Sequence, residues 1–332
     1  MGESETGTAS RGADDPAQRR ARRRRRRRVT RAAWLGAAAA FGLRTLVLGV
    51  SCMPWWLALA LGRRLGDAMH GLGLRRRTIE HNLGLVYGQR LSESQRQRIA
   101  RAAQRNLALG LFEILRALGP RRRDVLRSFS FADAASREHA RRIEAQPGPV
   151  LLVIPHLGNF DLLGAWWCSR TGLALHVVMK PPALRAVFEL LRSARERFGF
   201  HVVDTGSRAV ITEINRLLEA GRRVCMLPDQ HAGRKKGVVV EFLGVPAYTY
   251  RGPAIAALRH PEARVYVAAT WRERDGAAHR AWVRPVAPPP LTGELSEDVH
   301  RWTARLSAVM SEVVGAHPES YLWHHRRWRP VR

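Results

Sequence analysis

Cysteine and lysine are both scarce in this chain, and each scarcity removes options. Cys52, Cys168 and Cys225 are the only cysteines among 332 residues. Three thiols, widely spaced and odd in number, give neither a disulfide framework nor a C-x-x-C metal site, and they fit a reducing compartment. All three lie in apolar stretches, where a thiol behaves as a small hydrophobe. The 13 histidines are dispersed without ligand spacing, so no metal ion and no cofactor is expected. There is no G-x-S-x-G elbow, which leaves a serine hydrolase without support.

Acidic residues are also few, 28 against 56 basic ones, and the formal charge is +28 at pH 7. A polyanionic surface is the expected partner. Lys180, Lys235 and Lys236 are the only lysines in this arginine background. Either they mark places where a compact ammonium is wanted, for instance as a point charge for phosphate, or they are incidental. Residues 1–31 carry the block Arg22 to Arg28 and too little apolar surface to fold, and so read as a disordered basic tail. No zinc-finger, RRM or helix-turn-helix pattern accompanies the tail, so no specific nucleic acid is expected. An apolar segment follows at 32–62, interrupted by Arg44 and Pro54. An anionic membrane surface is therefore the better partner, at roughly 1 kcal/mol for each arginine near the lipid.

Beyond that segment, residues 63–332 read as one folded domain. A helical lead-in at 63–147 is marked by Ile79, Leu83 and Val86, then by Ile99, Leu107, Leu111 and Leu118, with Ser92 starting a new helix. Glu113 in this stretch reads as an ion-paired structural residue. From 148 to 332 strands and helices alternate. Strands are expected at 150–154, 173–178, 201–203, 222–227, 238–242, 263–270 and 280–285, with a long helix at 296–314. The expected fold is α/β, a mixed central sheet with flanking helices.

The segment Val150-Leu-Leu-Val-Ile-Pro-His156-Leu-Gly158-Asn159-Phe-Asp161 carries the chemistry. Five aliphatic residues form a buried strand, Pro155 ends it, and Gly158 opens a turn into a helix. His156 thus stands at the C-terminal end of a strand, the edge where α/β proteins bind ligands. An imidazole there is suited to take a proton from a hydroxyl, with Asp161 holding its tautomer. His156 and Asp161 are the expected catalytic pair.

This H-x4-D spacing, with Gly158 and Asn159, resembles the signature of the glycerolipid and lysophospholipid acyltransferase superfamily. Further segments narrow the likeness: Asp229-Gln230, the basic turn Gly233-Arg234-Lys235-Lys236, the strand ending Phe242-Leu-Gly-Val-Pro-Ala247, and Gly252-Pro253. The C-terminal Trp323-His-His325-Arg326-Arg327-Trp328 agrees as well. In that order these look like the lipid A lauroyl and myristoyl acyltransferases, over roughly 32–330. The family also includes mannosyl-phosphoinositide acyltransferases, and Glu241 falls where that branch carries a glutamate. The Asp229-Gln230 pair favours the lipid A branch.

The resemblance implies a membrane-associated O-acyltransferase. Acyl carrier protein, or acyl-CoA, would be the donor and a lipid A precursor or related glycolipid the acceptor. It implies that Gly158 and Asn159 shape the dyad, and that Lys180 with Arg234, Lys235 and Lys236 holds phosphates. Asp229, Gln230 and Glu241 count as substrate-binding residues on the same ground. Asp229 stays open between a carrier-binding or supporting role and a plain turn residue. Arg195 is open too, between a family arginine and an exposed helix residue. Residues 45–62 are uncharged but at the short limit of a span, and a span would carry the catalytic domain away from cytoplasmic acyl thioesters. An interfacial anchor on the cytoplasmic face of the inner membrane is therefore expected, with Trp55 and Trp56 at head-group level. The alternatives are a phosphatidylinositol-mannoside-type acyltransferase and a non-enzymatic polyanion binder.

Overall fold

A computed structural model describes residues 41–42, 44–180, 185–205, 209–273, 276 and 278–331. The basic tail, the start of the apolar segment up to residue 40, and residues 181–184 lie outside the described residues. The chain divides into an N-terminal unit, 1–46, and a main unit, 47–332. In the first, Thr45 Oγ1 donates to the Phe41 carbonyl at 3.0 Å.

In the main unit residues 47–52 are helical and α1 (Trp55–Gly71) begins after Pro54. The uncharged stretch 45–62 is thus not one continuous span. Proline has no N–H and a fixed φ, so it closes one helix and starts the next. The second half is also not free for lipid on all sides. Ala58 and Leu59 are buried, and Gly62 and Gly66 let α1 press onto α3 (Glu93–Leu118). A Cβ on Gly66 would stand 2.4 Å from Arg105 Cα. Among the described residues no helix is long and apolar enough to cross a membrane.

Between these two helices runs α2 (Arg76–Tyr87), and α3 opens on a capping box in which Ser92 and Gln95 satisfy each other's backbone N–H groups. The helices that follow are α4 (Arg122–Leu126), α5 (Ala134–Ala145), α6 (Phe160–Thr171), α7 (Arg185–Arg197), α8 (Val210–Glu219), α9 (Gly252–Arg259) and α10 (Leu295–Ala316). The strands are β1 (Phe129–Phe131), β2 (Val150–Val153), β3 (Leu175–Met179), β4 (Phe200–Asp204), β5 (Arg223–Met226), β6 (Gly237–Phe242), β7 (Val245–Tyr250), β8 (Arg264–Arg272) and β9 (His279–Pro285).

Seven of them form one sheet in the order β1-β9-β8-β2-β5-β3-β4, parallel except where β8 meets β9. β2 lies centrally and is covered on both faces, which is why it reads as an unbroken aliphatic run. Leu151 and Val153 enter a core shared with α9, α10, Trp323 and Trp328; Val150 and Leu152 enter another shared with α6, Phe129 and Phe131.

The mixed sheet and flanking helices match the sequence expectation, except that β1 and β7 are not among the expected strands and β6 stands outside the sheet. β1 falls inside the stretch read as purely helical: it is three residues long, and its partner β9 is remote in sequence, so no local periodicity marks it. β6 does not join the sheet but pairs with β7 as a separate antiparallel hairpin. Gly244 at φ 76° sits in the intervening turn, a hairpin signal present in the sequence.

Candidate active site

β2 and β5 are parallel neighbours in the register Val153 to Met226. Three residues further on, each chain has passed a proline, and the same offset brings His156 beside Asp229. Asp229 Oδ1 lies 2.6 Å from His156 Nδ1, and its Oδ2 accepts the His156 backbone N–H at 2.8 Å. One carboxylate therefore fixes both the ring and the main chain that carries it. The Asp229 side chain is fully buried, while His156 keeps 14% of its side chain exposed. Burial would raise the Asp229 carboxyl, but His156, through its charge and two hydrogen bonds, and then Arg327 hold it below its ordinary value. Asp229 is anionic where His156 works. With Nδ1 donating to it, Nε2 is the ring's acceptor, and Gln230 Nε2 lies 3.1 Å away.

Asp161, the expected partner, is not in this pair. It stands in the first turn of α6, which carries its carboxylate toward α7, where Arg195 holds it through Nε at 2.8 Å and Nη2 at 3.3 Å. A turn and a helix start separate it from His156, whereas Asp229 is delivered by the adjacent strand. Arg195 is therefore an ion-paired residue rather than a freely exposed one.

The turn between His156 and α6 is built tightly. Gly158 has φ 59°, and a Cβ there would meet the Thr270 carbonyl oxygen at 2.3 Å. Its N–H donates to Ser320 O at 2.8 Å, and the Leu322 N–H donates to His156 O at 3.1 Å. Both the left-handed backbone and the close approach require glycine. Gly158→Ala should destabilise the domain by about 1–3 kcal/mol, read from urea unfolding; an unchanged midpoint would show that the turn relaxes freely.

Asn159 caps α6 by accepting from Leu162 N, and its amide donates to Gly110 O and to Glu113 Oε2 at 3.0 Å. Glu113 is wholly buried between Arg272, bound through both guanidinium NH₂ groups, and His279 at 2.9 Å. Burial would raise this carboxyl, but Arg272 and His279 hold it well below the usual range. Its pairing agrees with the sequence reading; its grip on Asn159, which caps the helix after His156, is not legible there.

The C-terminal segment closes the other side. Tyr321 bridges Leu157, and Asn82 donates to the Trp323 and His325 carbonyls at 2.8 Å each. Arg327, 1% exposed, donates to the carbonyls of Gln230 and Tyr248 and to Thr249 Oγ1. His325 is pushed down to about 4, by burial first and then by neighbouring His156, so it is neutral near pH 7.

Other expected site residues are not gathered here. Lys180 is exposed just past β3, and Arg234, Lys235 and Lys236 are exposed in the turn before β6. Among the described residues none of these four hydrogen-bonds through its side chain to the histidine cluster. Glu241 lies on β6 in the wall of a separate groove of about 860 Å³, lined by Val86, Tyr87, Ala304 and Ala308 but not by His156. Glu241 is exposed on the β6–β7 hairpin, which is separate from the sheet that carries His156.

A carboxylate-oriented imidazole at the C-terminal edge of a largely parallel sheet, without a nucleophile elbow, has the geometry to take a proton from a hydroxyl brought against its free nitrogen. That is the class of site the fold defines. The sequence matches the bacterial lipid A biosynthesis acyltransferases over residues 20–330, and the chain belongs to that family. It is 25% identical over 301 residues to the lipid A biosynthesis lauroyltransferase of Escherichia coli, covering 89% of this chain and 90% of that protein. It is 26% identical over 295 residues to the lipid A biosynthesis palmitoleoyltransferase of the same organism, covering 88% and 91%. It is also 29% identical over 178 residues to a phosphatidylinositol mannoside acyltransferase of Mycobacterium tuberculosis, covering 52% of each. The chain spans about half the length of that relative.

Proposed function

We propose that the protein transfers a fatty acyl chain from an acyl thioester to a hydroxyl of a lipid A precursor or related glycolipid. The observation that carries this reading is the 2.6 Å contact between His156 Nδ1 and buried Asp229. His156 Nε2 takes the hydroxyl proton, and the acceptor oxygen attacks the thioester carbonyl. The tetrahedral intermediate collapses, the C–S bond breaks, and the thiolate leaves with the proton from the imidazolium. Asp229 stabilises the imidazolium while it lasts. Gln230 gives up its bond to Nε2 when the hydroxyl arrives.

In this reading Lys180 and the Arg234 to Lys236 cluster meet phosphates of the donor arm or the acceptor, and Asp161 with Arg195 fixes α6 against α7. The donor is an acyl carrier protein or acyl-CoA, and the enzyme works at the cytoplasmic face of the inner membrane, where both reactants meet. Similarity to the Mycobacterium tuberculosis relative supports a second acceptor, a phosphatidylinositol mannoside.

Lipid mass spectrometry of cells with and without the expressed protein tests both. An ester-linked acyl mass added to lipid A is the expected result; the same gain on a phosphoinositide glycolipid moves the reading to the second acceptor. No change in any glycolipid, with the protein present and folded, removes both.

A further inference from the structure

At the β1 edge of the sheet lies a depression of about 480 Å³, lined by Phe129, Phe131, Arg137, Arg141, Trp166 and Arg170. Its floor is aromatic and fixed. Phe129 and Phe131 are 6% and 8% exposed; half-buried Trp166 stacks on the first at 6.0 Å and meets the second edge-on at 5.0 Å. Its rim is cationic. Arg137 and Arg141 lie one turn apart on α5, on the same face and both exposed. The acids nearby are already engaged: Glu138 pairs with Arg142, and Glu144 with Arg170 at 3.2 Å. Among the described residues neither Arg137 nor Arg141 has an ion-pair partner. Arg170 also lies over the Phe131 ring at 5.2 Å, which aims its guanidinium along the same floor.

Two like charges side by side on a helix repel unless an anion sits between them. Guanidinium forks match the oxygens of a phosphate, and an indole edge offers apolar or stacking area beside them. We propose that this depression is a phosphate-binding subsite separate from His156. Arg137 and Arg141 hold the phosphate with Arg170 at its flank, and Trp166 packs against the planar or hydrocarbon body that carries it. Two sources present that chemistry: the nucleotide part of a soluble thioester donor, and the head group of an anionic lipid. The nucleotide source rests on the acyl-transfer reading and the head-group source does not, but binding of either is measured without turnover, so the subsite and that reading fail separately.

The test uses the full chain, wild type and Arg137→Gln/Arg141→Gln, with adenosine 3′,5′-bisphosphate by calorimetry and with phosphatidylcholine vesicles containing phosphatidylglycerol by sedimentation. Arg77→Gln/Arg98→Gln, exposed residues on α2 and α3, removes the same charge elsewhere. Matching thermal melts establish that both pairs fold. The expected result is a loss of about tenfold or more for one probe in the first pair and little change in the second. Loss confined to the bisphosphate identifies the nucleotide source, and loss confined to vesicles identifies the head group. Equal losses in both pairs, or no loss for either probe, overturn the proposal, since the arginines then act only as diffuse charge.

Discussion

Asp229→Asn should lower turnover by about 10² to 10⁴, close to the loss in His156→Ala, while Asp161→Asn loses clearly less. The ordering follows from which carboxylate touches the ring. Asp229 accepts from Nδ1 at 2.6 Å inside a fully buried pocket, where an anion facing a transient imidazolium is weakly screened. Asparagine preserves the shape but removes the charge, and its amide can turn an N–H toward the ring, reversing the tautomer. Asp161 instead forms a pair with Arg195 in which the side chains keep 21% and 15% exposure. Its loss loosens α6 against α7 and reaches the reaction only through position. Steady-state kinetics on the three variants, with circular dichroism to confirm folding, decide the matter. Near wild-type turnover in His156→Ala would end the general-base assignment. An Asp161→Asn defect as deep as that of Asp229→Asn would return the orienting role to the helix residue.

The largest stability effect is expected at Glu113. Glu113→Gln keeps the size and most hydrogen bonds but leaves Arg272, itself 8% exposed, without its counter-charge. Breaking a buried pair in this way costs about 3–5 kcal/mol. Replacing both partners, Glu113→Leu with Arg272→Met, should recover much of that loss, because no buried charge is then left over. The pH dependence has a fixed sign. The folded carboxyl sits below its ordinary value of 4.5, so its contribution is complete above that value and is lost as the pH falls below it. Urea midpoints at neutral and acid pH measure both effects. A Glu113→Gln midpoint equal to wild type would mean that Arg272 finds water or another acceptor. Turnover should fall with stability, since Asn159 loses an acceptor at the head of the turn that holds His156.

What could be read without coordinates was largely what is local. The aliphatic run before Pro155, the glycine at 158 and the long apolar period of α10 each state their conformation within a few residues. His156 was found the same way, as a polar residue released at the end of a buried strand. Asp229 stands open in the sequence between a substrate- or carrier-binding, supporting or plain turn role, although a signal for the pairing exists: Pro155-His156 and Pro228-Asp229 end two apolar strands with the same step, as neighbouring parallel strands require. Reading H-x4-D as a contact failed because proximity along a chain does not survive a helix start. The place of Glu241 was not legible for a related reason, since its strand leaves the sheet for a hairpin of its own and puts it in the wall of another groove.

The alternation of strands and helices, the histidine at a strand end, the lack of paired-cysteine and serine-elbow patterns and the net charge of +28 were all legible in the chain alone. These follow from composition and short periodicity, which act through neighbours in the chain. Only the tertiary structure decided that Asp229 orients the ring, that Arg195 takes Asp161, that Glu113 holds the cap of α6, and that the C-terminal Arg327 is buried against the hairpin. Each of these is a pairing across the sheet or between helices, fixed by strand order and by the need to neutralise or hydrogen-bond every buried charge.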